Sequence, residues 1–69
     1  MNKDIVLKNK IKEVRQQKKI SQEELAHLVG TTRQTIIAIE KGQFNPSTKL
    51  ALIIAIALDK KIDEIFYLE

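Results

Sequence analysis

The chain has 69 residues, 43% of them apolar, 30% charged and only 4% aromatic, with no cysteine and a net charge of +3. That length suits one small domain, with a core of Ile, Leu, Val and Ala burying roughly 60% of the unfolded surface, and the lack of cysteine excludes a disulfide framework or a cysteine metal site. The longest apolar run, residues 50–58, is too short to span a bilayer, and Met1-Asn2-Lys3-Asp4 opens without a signal-peptide stretch, so the expectation is a cytoplasmic protein.

Only the two ends, Asp4-Ile5-Val6-Leu7 and Phe66-Tyr67-Leu68, have β character. Leu7, Ile11, Val14 and Lys18 recur at helical spacing and predict a first helix over residues 7–18. Ser21 is an N-cap for a second helix, and Glu24 three residues on completes a capping box. Leu25, Leu28 and Val29 are its apolar side, and Gly30 ends it in a left-handed conformation. Thr32 caps a third helix with Ile36 and Ile39 inward and Gly42 at its end. Gln43-Phe44-Asn45-Pro46 reads as a loop, after which Ser47 or Thr48 caps a fourth helix over residues 49–58. A short fifth helix, capped by Asp59 or Asp63, carries Ile62, Ile65 and Phe66. Five short helices with tight connections predict a single all-α domain spanning residues 1–69.

Only Gly30-Thr31-Thr32 separates the second and third helices. So short a turn makes them cross steeply, which is the helix-turn-helix unit. Residues 22–41, QEELAHLVGTTRQTIIAIEK, meet its steric demands. Ala26 is small where the helices approach, Gly30 tolerates a positive φ, and Leu25, Val29, Ile36 and Ile39 face the core. Each position is commonplace alone, and the combination at fixed spacing points to DNA binding. The charge distribution agrees. Residues 1–19 hold seven cations, Lys3, Lys8, Lys10, Lys12, Arg15, Lys18 and Lys19, against Asp4 and Glu13, a local balance of +5. Some of these lysines only keep a helix solvated; together they form a basic surface suited to phosphates.

From Lys10 to Phe66 the chain resembles the Xre-type regulators related to the Cro and repressor proteins of phages. The resemblance rests on IKEVRQQKKISQEELAHLVGTTRQTI, on IEKGQFNPS and on DEIF near the end. It implies a five-helix lambda-repressor-like DNA-binding domain. Compact stand-alone members act as homodimers, and in some of them the chain ends pair as a small antiparallel sheet, which would suit Ile5-Val6 and Tyr67-Leu68.

The third helix, residues 32–41, is then the one that enters the major groove of double-stranded DNA, with its N-terminal residues at base edges. Gln34 matches a family position that reads bases, and its amide can pair bidentately with adenine. Arg33 takes guanine or grips a phosphate. Ile37 stands where the family commonly has a polar residue; it touches a thymine methyl or is partly buried against a loop. Thr35 contacts phosphate or lies idle. Gln22, at the start of the second helix, matches a position that binds the DNA backbone. Thr32, Lys41, Gln43 and Asn45 are further backbone contacts, Asn45 also being a turn former before Pro46. Arg15 and Glu40 match an ion pair in related repressors, an architectural role.

Helix four is apolar beyond the face formed by Leu50, Ile54, Ala57 and Leu58. Ile53 and Ile56 need further cover. They are candidates for a dimer face, together with Ile65, Tyr67 and Leu68. The expected protein is a homodimeric repressor on a near-palindromic operator. The alternative is an antitoxin-type module that binds a toxin and autoregulates its operon. An enzyme is not expected: Glu23-Glu24 and Asp63-Glu64 do not face one another, and there is no nucleophile–His arrangement or Gly-rich phosphate loop. His27 reads as exposed, with no metal role. No cofactor, metal or small-molecule effector is expected.

Overall fold

The computed structural model describes residues 4–69. Lys3, counted in the basic N-terminal stretch, and the Met1-Asn2-Lys3 start lie outside the described residues. The elements run β1 (Leu7–Asn9), α1 (Ile11–Gln17), α2 (Gln22–Val29), α3 (Arg33–Glu40), α4 (Thr48–Ala57), α5 (Ile62–Ile65) and β2 (Phe66–Leu68). Among the described residues, five helices and a two-stranded antiparallel sheet joining the two ends make up the expected architecture.

The sheet begins where a helix was expected. Leu7 sits in β1, and α1 starts only at Ile11. Leu7 falls at a helical interval before Ile11, but its backbone pairs across the molecule: Leu7 lies opposite Leu68, Lys8 opposite Tyr67 and Asn9 opposite Phe66. Val6 and Glu69 extend the ladder with reciprocal N–H to carbonyl bonds of 2.8 and 2.9 Å. Lys10, with φ −117° and ψ 26°, breaks the extended run before α1.

Four helices end in one way. The residue after each last turn is left-handed: Lys19 (φ 57°), Gly30 (76°), Gly42 (76°) and Asp59 (56°). The next amide folds back onto the helix, Ile20 to Arg15, Thr31 to Ala26, Gln43 to Ala38 and Lys60 to Ala55, at 2.9–3.0 Å. This closure satisfies carbonyls that the helix leaves open. Two of the four sites use glycine, which adopts positive φ without penalty; Lys19 and Asp59 hold it under a steric cost.

The starts are capped locally. Ser21 Oγ accepts from the Glu24 amide at 3.0 Å and Glu24 Oε1 accepts from the Ser21 amide at 3.1 Å, a complete capping box. Thr32 Oγ1 accepts from the Thr35 amide, and Ser47, rather than Thr48, accepts from the Leu50 amide. Neither Asp59 nor Asp63 caps α5. Asp59 is taken up by the end of α4, and Glu64 reaches back to accept from the Lys61 amide at 2.8 Å.

The core is aliphatic, as the composition requires. Ile11, Leu25, Ile36, Ile39, Ile54, Leu58 and Ile65 are fully buried, with Val14, Ala26, Val29, Ala55 and Phe66 around them. α2 is central and packs on both α3 and α4. Leu28, expected on its apolar side, is 58% exposed. The buried stripe of α2 is the narrower Leu25–Ala26–Val29 set. No described helix is long and apolar enough to cross a membrane.

Candidate nucleic-acid interface

α2 and α3 meet at the Gly30-Thr31-Thr32 turn. The positive φ of Gly30 turns the chain and the Thr32 hydroxyl restarts it. Ile36 and Ile39 anchor the inner side of α3. Arg33 and Gln34 are thereby held in solvent at its N-terminal end, and Thr35, Ile37 and Ala38 are partly buried. Thr35 shares a 3.0 Å hydroxyl contact with Thr32. Lys41, Gln43 and Asn45 are exposed just beyond α3. Phe44 is half exposed in the same loop.

Behind this face lies one buried polar cluster. Arg15 Nε donates to Glu40 Oε2 at 2.9 Å, and Arg15 Nη2 to Glu40 Oε1 at 3.4 Å. Both side chains are more than nine-tenths buried. Arg15 Nη1 also donates to the Ile20 carbonyl at 3.0 Å. This one guanidinium ties together α1, the turn after it and the end of α3. Glu40 Oε1 additionally accepts from Gln22 Nε2 at 3.0 Å. Gln22, expected only as a backbone contact, is therefore also held by the far end of α3. That contact had no sequence signal, since it joins positions from different helices. Arg15, Ser21, Gln22, Glu23 and Arg33 line a shallow cleft at the start of α2. No buried side-chain polar atom among the described residues lacks a partner.

A second polar junction was not anticipated. Asn9 Nδ2 donates to the Ile39 carbonyl at 2.9 Å, and Asn9 Oδ1 accepts from the Ile11 amide at 3.2 Å. The available signal was an asparagine two residues before the first core position of α1, where a side-chain oxygen meets free helix-start amides.

The dimer candidates separate. Ile56 is 77% exposed, Leu68 68% and Tyr67 39%, with Lys10 Nζ 5.6 Å from the Tyr67 ring centroid. Ile53 is partly buried and packs against the core. Ile65 is fully buried. It has no surface to offer a partner, because α5 is a single turn whose one inward position it fills. The expectation that Ile65 joins a dimer face is corrected accordingly. His27 is exposed, and no acidic, histidine or cysteine cluster suited to a metal occurs among the described residues.

Two packed helices joined by a three-residue turn, with an exposed polar N-terminal end on the second, define a helix-turn-helix protein. The chain belongs to that family, whose helix-turn-helix domain matches residues 11–65, and it is of the Xre/Cro-C1 type. It is 51% identical over 63 residues to the HTH-type transcriptional regulator YgzD of Bacillus subtilis, covering 91% of this chain and 96% of that one. Identity and coverage are the same with the HTH-type transcriptional regulator MJ0272 of Methanocaldococcus jannaschii. Among solved structures it is similar to the restriction-modification controller protein C.AhdI from Aeromonas hydrophila, with 41% identity, 78% of each chain covered and a TM-score of 0.74. The protein is a sequence-specific DNA-binding transcriptional regulator.

Proposed function

We propose that the protein is a cytoplasmic homodimeric repressor that occupies a near-palindromic operator. The observation that carries this reading is the display of Arg33 and Gln34, exposed side by side at the capped start of α3. Placed in the major groove, that end of the helix meets base edges first. Gln34 pairs with adenine, Arg33 with guanine, and the partly buried Ile37 offers its outer methyl to a thymine. Thr32, Thr35, Lys41, Gln43, Asn45 and the N-terminal end of α2 at Gln22 lie along the phosphates. The exposed apolar side chains Ile56, Tyr67 and Leu68, with the partly buried Ile53 one turn before Ile56, favour a second copy as their cover. Residues 1–69 act as one domain, and repression follows from occupancy of the promoter.

Two recognition helices related by a two-fold axis call for half-sites about 10 bp apart. The test combines light-scattering chromatography with titration onto fluorescent DNA from the gene's own upstream region at two salt concentrations. A dimer that prefers this DNA over scrambled DNA, and weakens with salt, supports the reading. A monomer without sequence preference overturns it.

A further inference from the structure

Asn9 is the point at which the terminal sheet, the first helix and the recognition helix meet. Its backbone lies in β1 opposite Phe66. Its side-chain oxygen accepts from the first amide of α1, and its side-chain nitrogen donates to the Ile39 carbonyl in the last turn of α3. That carbonyl also accepts from the Gly42 amide at 3.0 Å, so Asn9 takes its second lone pair, while the Gln43 amide goes to Ala38. The neighbouring Lys10 amide donates to the Ile65 carbonyl at 2.8 Å, fastening the same stretch to the end of α5. Val6, Leu7, Lys8 and Asn9 face Glu40, Lys41 and Gly42 across a small cleft. Apart from Asn9, nothing in that stretch forms a hydrogen bond to α3.

We propose that Asn9 is a positioning residue for DNA reading, setting the tilt of the recognition helix against the terminal sheet. The lever is short and stiff. α3 has eight residues, about 12 Å of helix, so a tilt of roughly 10° about its C-terminal end moves Arg33 and Gln34 by about 2 Å. A base-edge hydrogen bond does not survive such a displacement. The Arg15–Glu40 pair holds the same end of α3 to α1 and α2, and Asn9 holds it to the sheet. The carboxamide supplies both groups the site uses, an acceptor for the Ile11 amide and a donor for the Ile39 carbonyl. The role rests on the proposed reading that Arg33 and Gln34 contact bases.

The test uses Asn9→Asp and Asn9→Ser. Aspartate keeps the shape and the acceptor but sets an oxygen against the Ile39 carbonyl. Serine keeps a cap for Ile11 and is too short to reach α3. The probe is a duplex selected from a random-sequence pool by the wild-type protein, with a scrambled duplex as reference. Measurements are made where circular dichroism shows each variant fully folded. The ratio of selected to scrambled affinity is expected to fall about tenfold in both variants, the loss of about one hydrogen bond's worth of discrimination, while scrambled-DNA affinity and its salt slope stay unchanged. A folded variant whose ratio equals that of wild type, with only its melting temperature lowered, reduces Asn9 to a helix cap and overturns the positioning role alone. A wild-type protein that selects no sequence overturns the proposed function and this role with it. If aspartate prevents folding, the serine variant decides.

Discussion

Arg15 and Glu40, from the first and third helices, meet in a two-pronged ion pair of 2.9 and 3.4 Å in which both side chains are almost fully buried. Each side chain has one further partner: Arg15 donates to the Ile20 carbonyl, and Glu40 accepts from the Gln22 side-chain amide. Burying two charges is favourable only when such partners are complete. The pair therefore specifies one packing of α1, α2 and α3, and through it the place of α3.

Removing one partner should be far more damaging than removing both. Arg15→Met or Glu40→Leu alone leaves an uncompensated buried charge and is expected to cost about 3–5 kcal/mol. A domain of this size has only roughly 3–10 kcal/mol in total. The double variant should recover most of the loss. Urea unfolding checks this, and single variants within about 1 kcal/mol of wild type would show that the pair is not desolvated.

The two strained helix ends should be improvable. Lys19→Gly and Asp59→Gly are each expected to stabilise by about 0.5–1 kcal/mol, the relief of positive φ outweighing the added freedom of the unfolded chain. Gly30→Ala should do the reverse and cost about 1–2 kcal/mol. A Cβ at Gly30 would meet nothing within 4 Å, so that loss is conformational rather than steric crowding. Thermal unfolding reads all three; a Lys19→Gly variant that melts below wild type contradicts the argument.

Base and backbone contacts predict different signatures. Arg33→Ala and Gln34→Ala should each lose about 1–3 kcal/mol of discrimination at one or two base pairs. Lys41→Ala should weaken binding to every sequence alike and lower the salt slope by about one. Titration against a panel of single-base operator variants separates the two. A uniform loss for Gln34→Ala would move it from the base edge to the backbone.

Ile56→Lys should leave the fold within about 0.5 kcal/mol, since the side chain is 77% exposed. If the proposed dimer forms through this face, the substitution converts it to a monomer in light scattering and weakens operator binding. An unchanged dimer would place the interface elsewhere.

The punctuation of the chain was readable because it is local. Ser21 with Glu24, Gly30, Thr32, Gly42 and Ser47 each act on backbone groups within four residues, and each does so in the structure. Those residues, with the apolar positions between them, determine the helix-turn-helix and its family. Arg15 and Glu40 were found by likeness to relatives, since no local rule joins them. What the tertiary structure decided depends on partners far along the chain. Leu7 matched a helical interval, yet its backbone found Leu68 at the other terminus and became a strand. Leu28 fitted the apolar stripe of α2, yet no element covers it, while Ile65 was drawn fully inside. Asn9 and Gln22 look like ordinary polar residues until folding brings the last turn of α3 against them. Hydrogen-bond capping acts over one turn, whereas burial and cross-helix contacts exist only once distant surfaces have met.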